Sequence, residues 1–141
     1  NFGKRLIKSP KIYFVDTGIL CSLLSITNTS ILATHPNMGN VFENFVISEI
    51  YKTFLHQGKK PPLYFWRDKT GNEIDLICEN GTDLLAFEIK SSKTYHNSFQ
   101  DMLMKWFNFK GNQTETGTVI YNGESLNKKG KIRILNWADV I

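Results

Sequence analysis

Glu73, Asp75, Glu88 and Lys90 sit inside otherwise apolar runs, in the stretch NEIDLICENGTDLLAFEIKSS from Asn72 to Ser92. Chains keep charges out of such runs, because an unpaired buried charge is costly or shifts its pKa. Three carboxylates and an ammonium gathered together have two uses. They form a solvated polar face with an ordinary salt bridge, or they hold a divalent cation. Carboxylate oxygens suit Mg²⁺ or Mn²⁺, and no His or Cys stands close enough to suit zinc.

Which use applies depends on the elements that carry these residues. LYFWR (63–67), EIDLICE (73–79) and DLLAFEIKS (83–91) have strand-like composition and period. Asn80-Gly81 between the last two is a strong hairpin signal. A two-residue type I′ turn there pairs Glu79 with Thr82, Asp75 with Ala86, and Glu73 with Glu88. One face then carries Glu73, Asp75, Ile77, Leu84, Ala86, Glu88 and Lys90. The other carries Ile74, Leu76, Cys78, Leu85, Phe87 and Ile89, which reads as core. The charges gather at the end far from the turn. Glu73 opposite Glu88 is repulsive, and Lys90 offsets only part of that.

Around this hairpin, NVFENFVISEIYKTFL (40–55) predicts a helix. Asn40 and Glu43 have capping-box spacing, and Ile47, Ile50 and Phe54 form an apolar stripe. NSFQDMLMKWFNF (97–109) predicts another helix, with Ser98 and Asp101 as a cap pair and Phe99, Met102, Leu103 and Trp106 facing the core. GTVIY (117–121) and KIRILNW (131–137) read as further strands. Earlier, Ile12 to Val15 reads as a short strand, Asp16 as the N-cap of a helix over 17–25, and SITNTS and THPNMGN as loops. From Asn40 the order is α-β-β-β-α-β-β, an α/β fold with a mixed central β-sheet flanked by helices. Residues 1–11 read as a basic linker from an upstream module, and 12–141 as one domain.

The chain has 141 residues, enough for one domain with a real core. Its net charge of +4 permits a polyanionic partner without requiring one. Two distant cysteines exclude a disulfide scaffold and favour a reducing cytoplasm. No apolar run is long enough for a membrane span, so no membrane is expected. The first residue is Asn rather than Met, which suggests part of a longer protein.

Asp75, a twelve-residue gap, then Glu88-Ile89-Lys90 resembles the PD-(D/E)xK signature of restriction-endonuclease-like nucleases, whose αβββαβ core matches the element order. More widely, SPKIYFVDTGIL, VFENFVISEI, YFWRDKTGNEIDLI and FEIKSS resemble the uncharacterised C-terminal domain of a family of prokaryotic AAA-type ATPases. That resemblance implies an upstream P-loop module. No G-x-x-x-x-G-K-[ST] occurs here, so ATP would bind only in the absent module. It also implies Mg²⁺ or Mn²⁺ held by Asp75, Glu88 and the Ile89 carbonyl, with Lys90 orienting or deprotonating the attacking water. Glu43 matches a first-helix glutamate of many relatives, its other role being the capping box. Glu73 would be an additional or supporting acid. DNA is the implied substrate. Arg67 would touch phosphate or pair with Asp68 or Glu73, and Gln100 would touch nucleic acid or lie exposed on its helix. Trp66 reads as core or stacking platform, and Lys128, Lys129, Lys131 and Arg133 as a backbone-following patch or a solvated hairpin. The alternative function is a non-catalytic DNA- or protein-binding, regulatory module of the ATPase.

Overall fold

The computed structural model describes residues 10–109, 112, 114–127 and 130–141. Short polar side chains start its first two helices. The Asp16 carboxylate accepts from the Gly18 and Ile19 N–H groups and caps α1, Thr17–Leu23. Ser25, with φ of 58°, ends that turn of chain. Asn28 accepts from the Ile31 N–H and caps α2, Thr29–Thr34, so part of the expected loop is helical. The expected strand at 12–15 does not form. Its pairing groups go to a side chain instead: the Asn44 amide accepts from the Phe14 N–H at 2.7 Å and donates to the Phe14 carbonyl at 3.0 Å.

The long helix α3 spans Met38–His56, beginning two residues before Asn40. Met38 N–H bonds the His35 carbonyl and Val41 N–H the Asn37 carbonyl, so the first turn is already under way at Asn40. The Asn40–Glu43 capping box is therefore absent, and Glu43 is left available for other contacts. Ile47 is buried, with Ile50 and Phe54 packed beside it, as the apolar stripe predicts.

Five strands follow: β1 Leu63–Arg67, β2 Glu73–Asn80, β3 Asp83–Lys90, β4 Gly117–Tyr121 and β5 Ile132–Asn136. They lie side by side in chain order, with β1–β2 and β2–β3 antiparallel and β3–β4 and β4–β5 parallel. The parallel step from β3 to β4 needs a crossover. A 3₁₀ turn (Asn97–Gln100) and α4 (Asp101–Phe107) supply it, in place of one continuous helix with a Ser98–Asp101 cap. Gly117 opens β4 where a side chain would meet Leu103 at about 3 Å, so its missing Cβ lets α4 settle on the sheet.

Helices cover both faces. On one, Phe42, Val46 and Ile47 of α3 pack against Leu76, Cys78, Phe87, Ile89 and Ile120. On the other, Leu103 and Trp106 of α4 pack against Ile74, Ile77, Ala86, Val119 and Ile134. The result is a mixed α/β fold, a five-stranded mixed sheet between helices. The hairpin face bearing Ala86 is therefore a second core, not a solvated surface.

Candidate functional site

The strand register brings the charges together differently from the sequence expectation. Asn80 pairs with Asp83 and Ile77 with Ala86, so the turn is Gly81-Thr82 and the register is two residues from the one expected. Gly81 has φ of 65° and Thr82 has no positive φ, the pattern of a turn with glycine in its first central position. A shift of two preserves which face each residue takes, so the error stayed hidden in the alternation.

A β-bulge adds a second change. From Tyr64↔Ile77 to Trp66↔Ile74, β1 advances two residues and β2 three. Asp75 and Leu76 together oppose Phe65, and the alternation of β2 reverses below them. Ile74 therefore joins the α4 core beside Ile77, where alternation had placed it with Leu76. Glu73 turns correspondingly toward α3. The charges do not share one face. They meet at the end of the sheet from both sides.

Their meeting place is a cleft of about 530 Å³ lined by Lys11, Glu43, Arg67, Glu73, Asp75, Glu88 and Lys90, together with Asn40, Gly71, Asn72 and Met102. On the α3 side, the Lys11 ammonium donates to Glu43 Oε1 at 2.7 Å and to Glu73 Oε1. Burial acts to lower the Lys11 pKa, but its bonds to Glu43 and Glu73 outweigh that and raise it. The Tyr13 hydroxyl also donates to Glu43 Oε1, at 2.8 Å, and burial with the Glu43 charge raises its pKa. Arg67 Nε meets Glu73 Oε2 at 3.1 Å. Asp68 is engaged within its own loop, accepting from the Thr70 and Asn72 N–H groups, and Arg67 pairs with Glu73.

On the β3 side, Asp75 Oδ2 accepts from the Ile89 N–H at 2.8 Å and from Lys90 Nζ at 3.3 Å. Strand pairing reaches Leu76↔Phe87, and there the Asp75 side chain takes the next backbone donor. N–H and C=O of one strand residue point to the same side, so the Ile89 carbonyl also faces the β2 edge. Lys90 Nζ lies 2.6 Å from Glu88 Oε2. Glu88 is 3% exposed, and its other oxygen, Oε1, has no hydrogen-bond partner among the described residues. Burial, then the Asp75 charge, pushes the Glu88 carboxyl up to about 7 against the pull of Lys90. Burial opposes the charge of Lys90, yet Asp75 and Glu88 raise its pKa overall.

The fit to a cation follows from these donors. Glu43, Glu73 and Asp75 each offer one oxygen, and the three lie within 4.8 Å of one another. Hard oxygen donors of this kind suit Mg²⁺ or Mn²⁺. Glu88 stands outside that trio, but its partnerless buried oxygen lines the same cleft. Four carboxylates and three cationic side chains line it.

Gln100 is half-buried at the end of the 3₁₀ turn and does not line the cleft. Trp66 packs on Trp106 and Phe109, as core. Lys131 reaches Glu115 at 3.9 Å on the surface and Arg133 is exposed, while Lys128 and Lys129 lie outside the described residues. Sequence reasoning missed Lys11, which it assigned to the linker. It falls within SPKIYFVDTGIL, but nothing local gives it a role, because a contact across 62 residues leaves no trace in spacing or period.

The chain belongs to the family described as domain of unknown function DUF4143, whose model matches residues 38–140; such domains are commonly found with AAA-type ATPases. A second model, domain of unknown function DUF8612, matches residues 1–30. The cleft draws on both segments, Lys11 from the first 30 residues and the remaining charged residues from 38–140. Among curated proteins, the chain is similar to uncharacterized proteins Mb2031c of Mycobacterium bovis and Rv2008c of Mycobacterium tuberculosis. Each is 38% identical over 94 residues, or 67% of this chain and 20% of the relative. The chain thus aligns with about a fifth of their length. Among the described residues, no helix is long and apolar enough to cross a membrane.

Proposed function

We propose that this is a nuclease-like domain with a PD-(D/E)xK, restriction-endonuclease-like core. It would lie C-terminal to an ATPase module and hydrolyse DNA phosphodiesters with Mg²⁺ or Mn²⁺. The observation that carries this reading is the cleft itself. Residues from α3, β1, β2 and β3 converge there, and Glu88 keeps a buried oxygen that no group among the described residues satisfies. A carboxylate left in that state is a group with unused ligand capacity.

Asp75 and Glu88 would hold the cation, with Glu43 and Glu73 close enough to add oxygens and the Ile89 carbonyl facing the same edge. When bound, the cation supplies Lewis-acid polarisation of the phosphate and a more acidic water. Lys90, held by Asp75 and Glu88, would orient that water and stabilise charge developing on the phosphoryl oxygens. Arg67, at the outer margin, has donors beyond its Glu73 contact with which to meet a phosphate.

One observation favours a second reading, a non-catalytic DNA- or protein-binding module that regulates the ATPase. Lys11, Arg67 and Lys90 already neutralise most of the acid cluster, as a purely structural network would. Cleavage of plasmid and branched DNA with Mg²⁺ or Mn²⁺ separates the two. Wild type should cut, while Asp75→Asn and Lys90→Ala lose the activity and stay folded. Binding without cutting by all three would move the reading to the second.

A further inference from the structure

We propose that Lys11 is the resident cation of the acid cleft. A divalent cation must displace its ammonium from Glu43 and Glu73, and so releases the segment that carries it. This rests on the metal-binding reading above and adds its regulation. The ammonium engages Oε1 of both glutamates, and those glutamates are two of the three acids that converge within 4.8 Å. A Mg²⁺ or Mn²⁺ bound there needs oxygens at little more than 2 Å and repels a neighbouring ammonium. The two cations therefore compete for the same ligands. The partnerless Glu88 oxygen in the same cleft is capacity that the ammonium leaves unused and a metal can draw on.

The surroundings of Lys11 allow it to leave. Its side chain is 24% exposed, so solvent reaches it, and what a departing ammonium gives up besides its two carboxylates is contact with the Tyr13 and Phe65 rings at 5.7 and 5.9 Å. Residues 10–14 join no strand. Their anchors are Phe14, held at both backbone groups by Asn44, and Tyr13, bonded to Glu43 and packed on the α3-side core, so displacement can free the chain up to Ile12 without disturbing the sheet. Lys11 falls in the segment matched by one family model and its acid partners in the segment matched by the other.

Two measurements test this, on wild type and Lys11→Met. In calorimetric titration with Mn²⁺, Lys11→Met should bind about tenfold more tightly, a difference of about 1.4 kcal/mol. On wild type, amine-directed labelling read by mass spectrometry should find Lys11 protected without metal and reactive at saturating Mn²⁺, while Lys52 labels equally in both. Equal or weaker binding by Lys11→Met overturns the displacement but leaves the metal site standing. Tighter binding with Lys11 still protected also overturns it, since the gain is then a charge effect at a distance. No Mn²⁺ uptake by either protein overturns both readings. If Lys11→Met does not fold, labelling of the wild type decides alone.

Discussion

The two ends of the β2–β3 hairpin are built by opposite rules. Toward the turn, backbone pairs with backbone from Asn80↔Asp83 to Leu76↔Phe87, and from Cys78↔Leu85 to Leu76↔Phe87 the side chains alternate between two apolar cores. At the other end, a carboxylate takes a backbone donor, a bulge reverses the alternation, and charges replace methyl groups. The first end is stabilised by burial. The second is held by mutual satisfaction of groups that separately would be costly to bury. A chain can carry such an end only because the first end fixes it in place.

Breaking the apolar end should have the largest effect. Leu76 is 2% exposed, and Leu76→Ala should cost about 2–5 kcal/mol in denaturant unfolding, with no direct loss of a cleft contact. The next effect belongs to Glu88. Its carboxyl lies at about 7 when folded against an ordinary 4.5, so the folded state keeps a proton that the unfolded chain releases. Its contribution is neutral below about 4.5, becomes increasingly destabilising up to about 7, and levels off above. Between pH 4 and 8, metal-free wild type should lose on the order of 3 kcal/mol at most relative to Glu88→Gln. A flat difference between the two across that range means that folding does not shift the Glu88 carboxyl.

Asp75 sharpens the contrast, since it serves both stability and the site. Asp75→Ala leaves the Ile89 N–H without its acceptor and should cost about 1–3 kcal/mol, with faster hydrogen exchange at Ile89 than at Leu85. Unchanged exchange at Ile89 would show that the strands do not depend on that side chain. The smallest effect belongs at the turn. A Cβ on Gly81 meets nothing within 4 Å, so Gly81→Ala should cost only the left-handed backbone penalty, about 1 kcal/mol.

The same contrast explains what the sequence revealed. Strands with period-two composition were legible, as were the apolar stripe of α3 and the grouping of Asp75, Glu88 and Lys90. Each is a local pattern with a local cause. The Asn80-Gly81 dipeptide suggested a turn one position early, since Gly81-Thr82 satisfies the same glycine requirement and alternation cannot tell a register from its neighbour two residues away. The bulge had no signal, because Ile74-Asp75-Leu76 reads as ordinary alternation until β1 is set beside it. The Asn40–Glu43 cap was a plausible local pattern that lost to an earlier helix start. Lys11 was invisible for the opposite reason: its role exists only in the folded contact.

The extra residue in β2 works as a phase shifter. Above it, the strand keeps step with the hydrophobic cores. Below it, the strand is half a cycle out of step, so a polar side chain can point where the core's rhythm demands an apolar one. A single insertion thus lets one strand obey two schedules, one for holding the sheet and one for presenting ligands. Removing it by deleting Leu76 would leave Ile74 toward α4 and Glu73 toward α3, but would swing Asp75 into the place of Leu76 against α3, taking its carboxylate from the Ile89 N–H and Lys90 with every charged residue still in the chain.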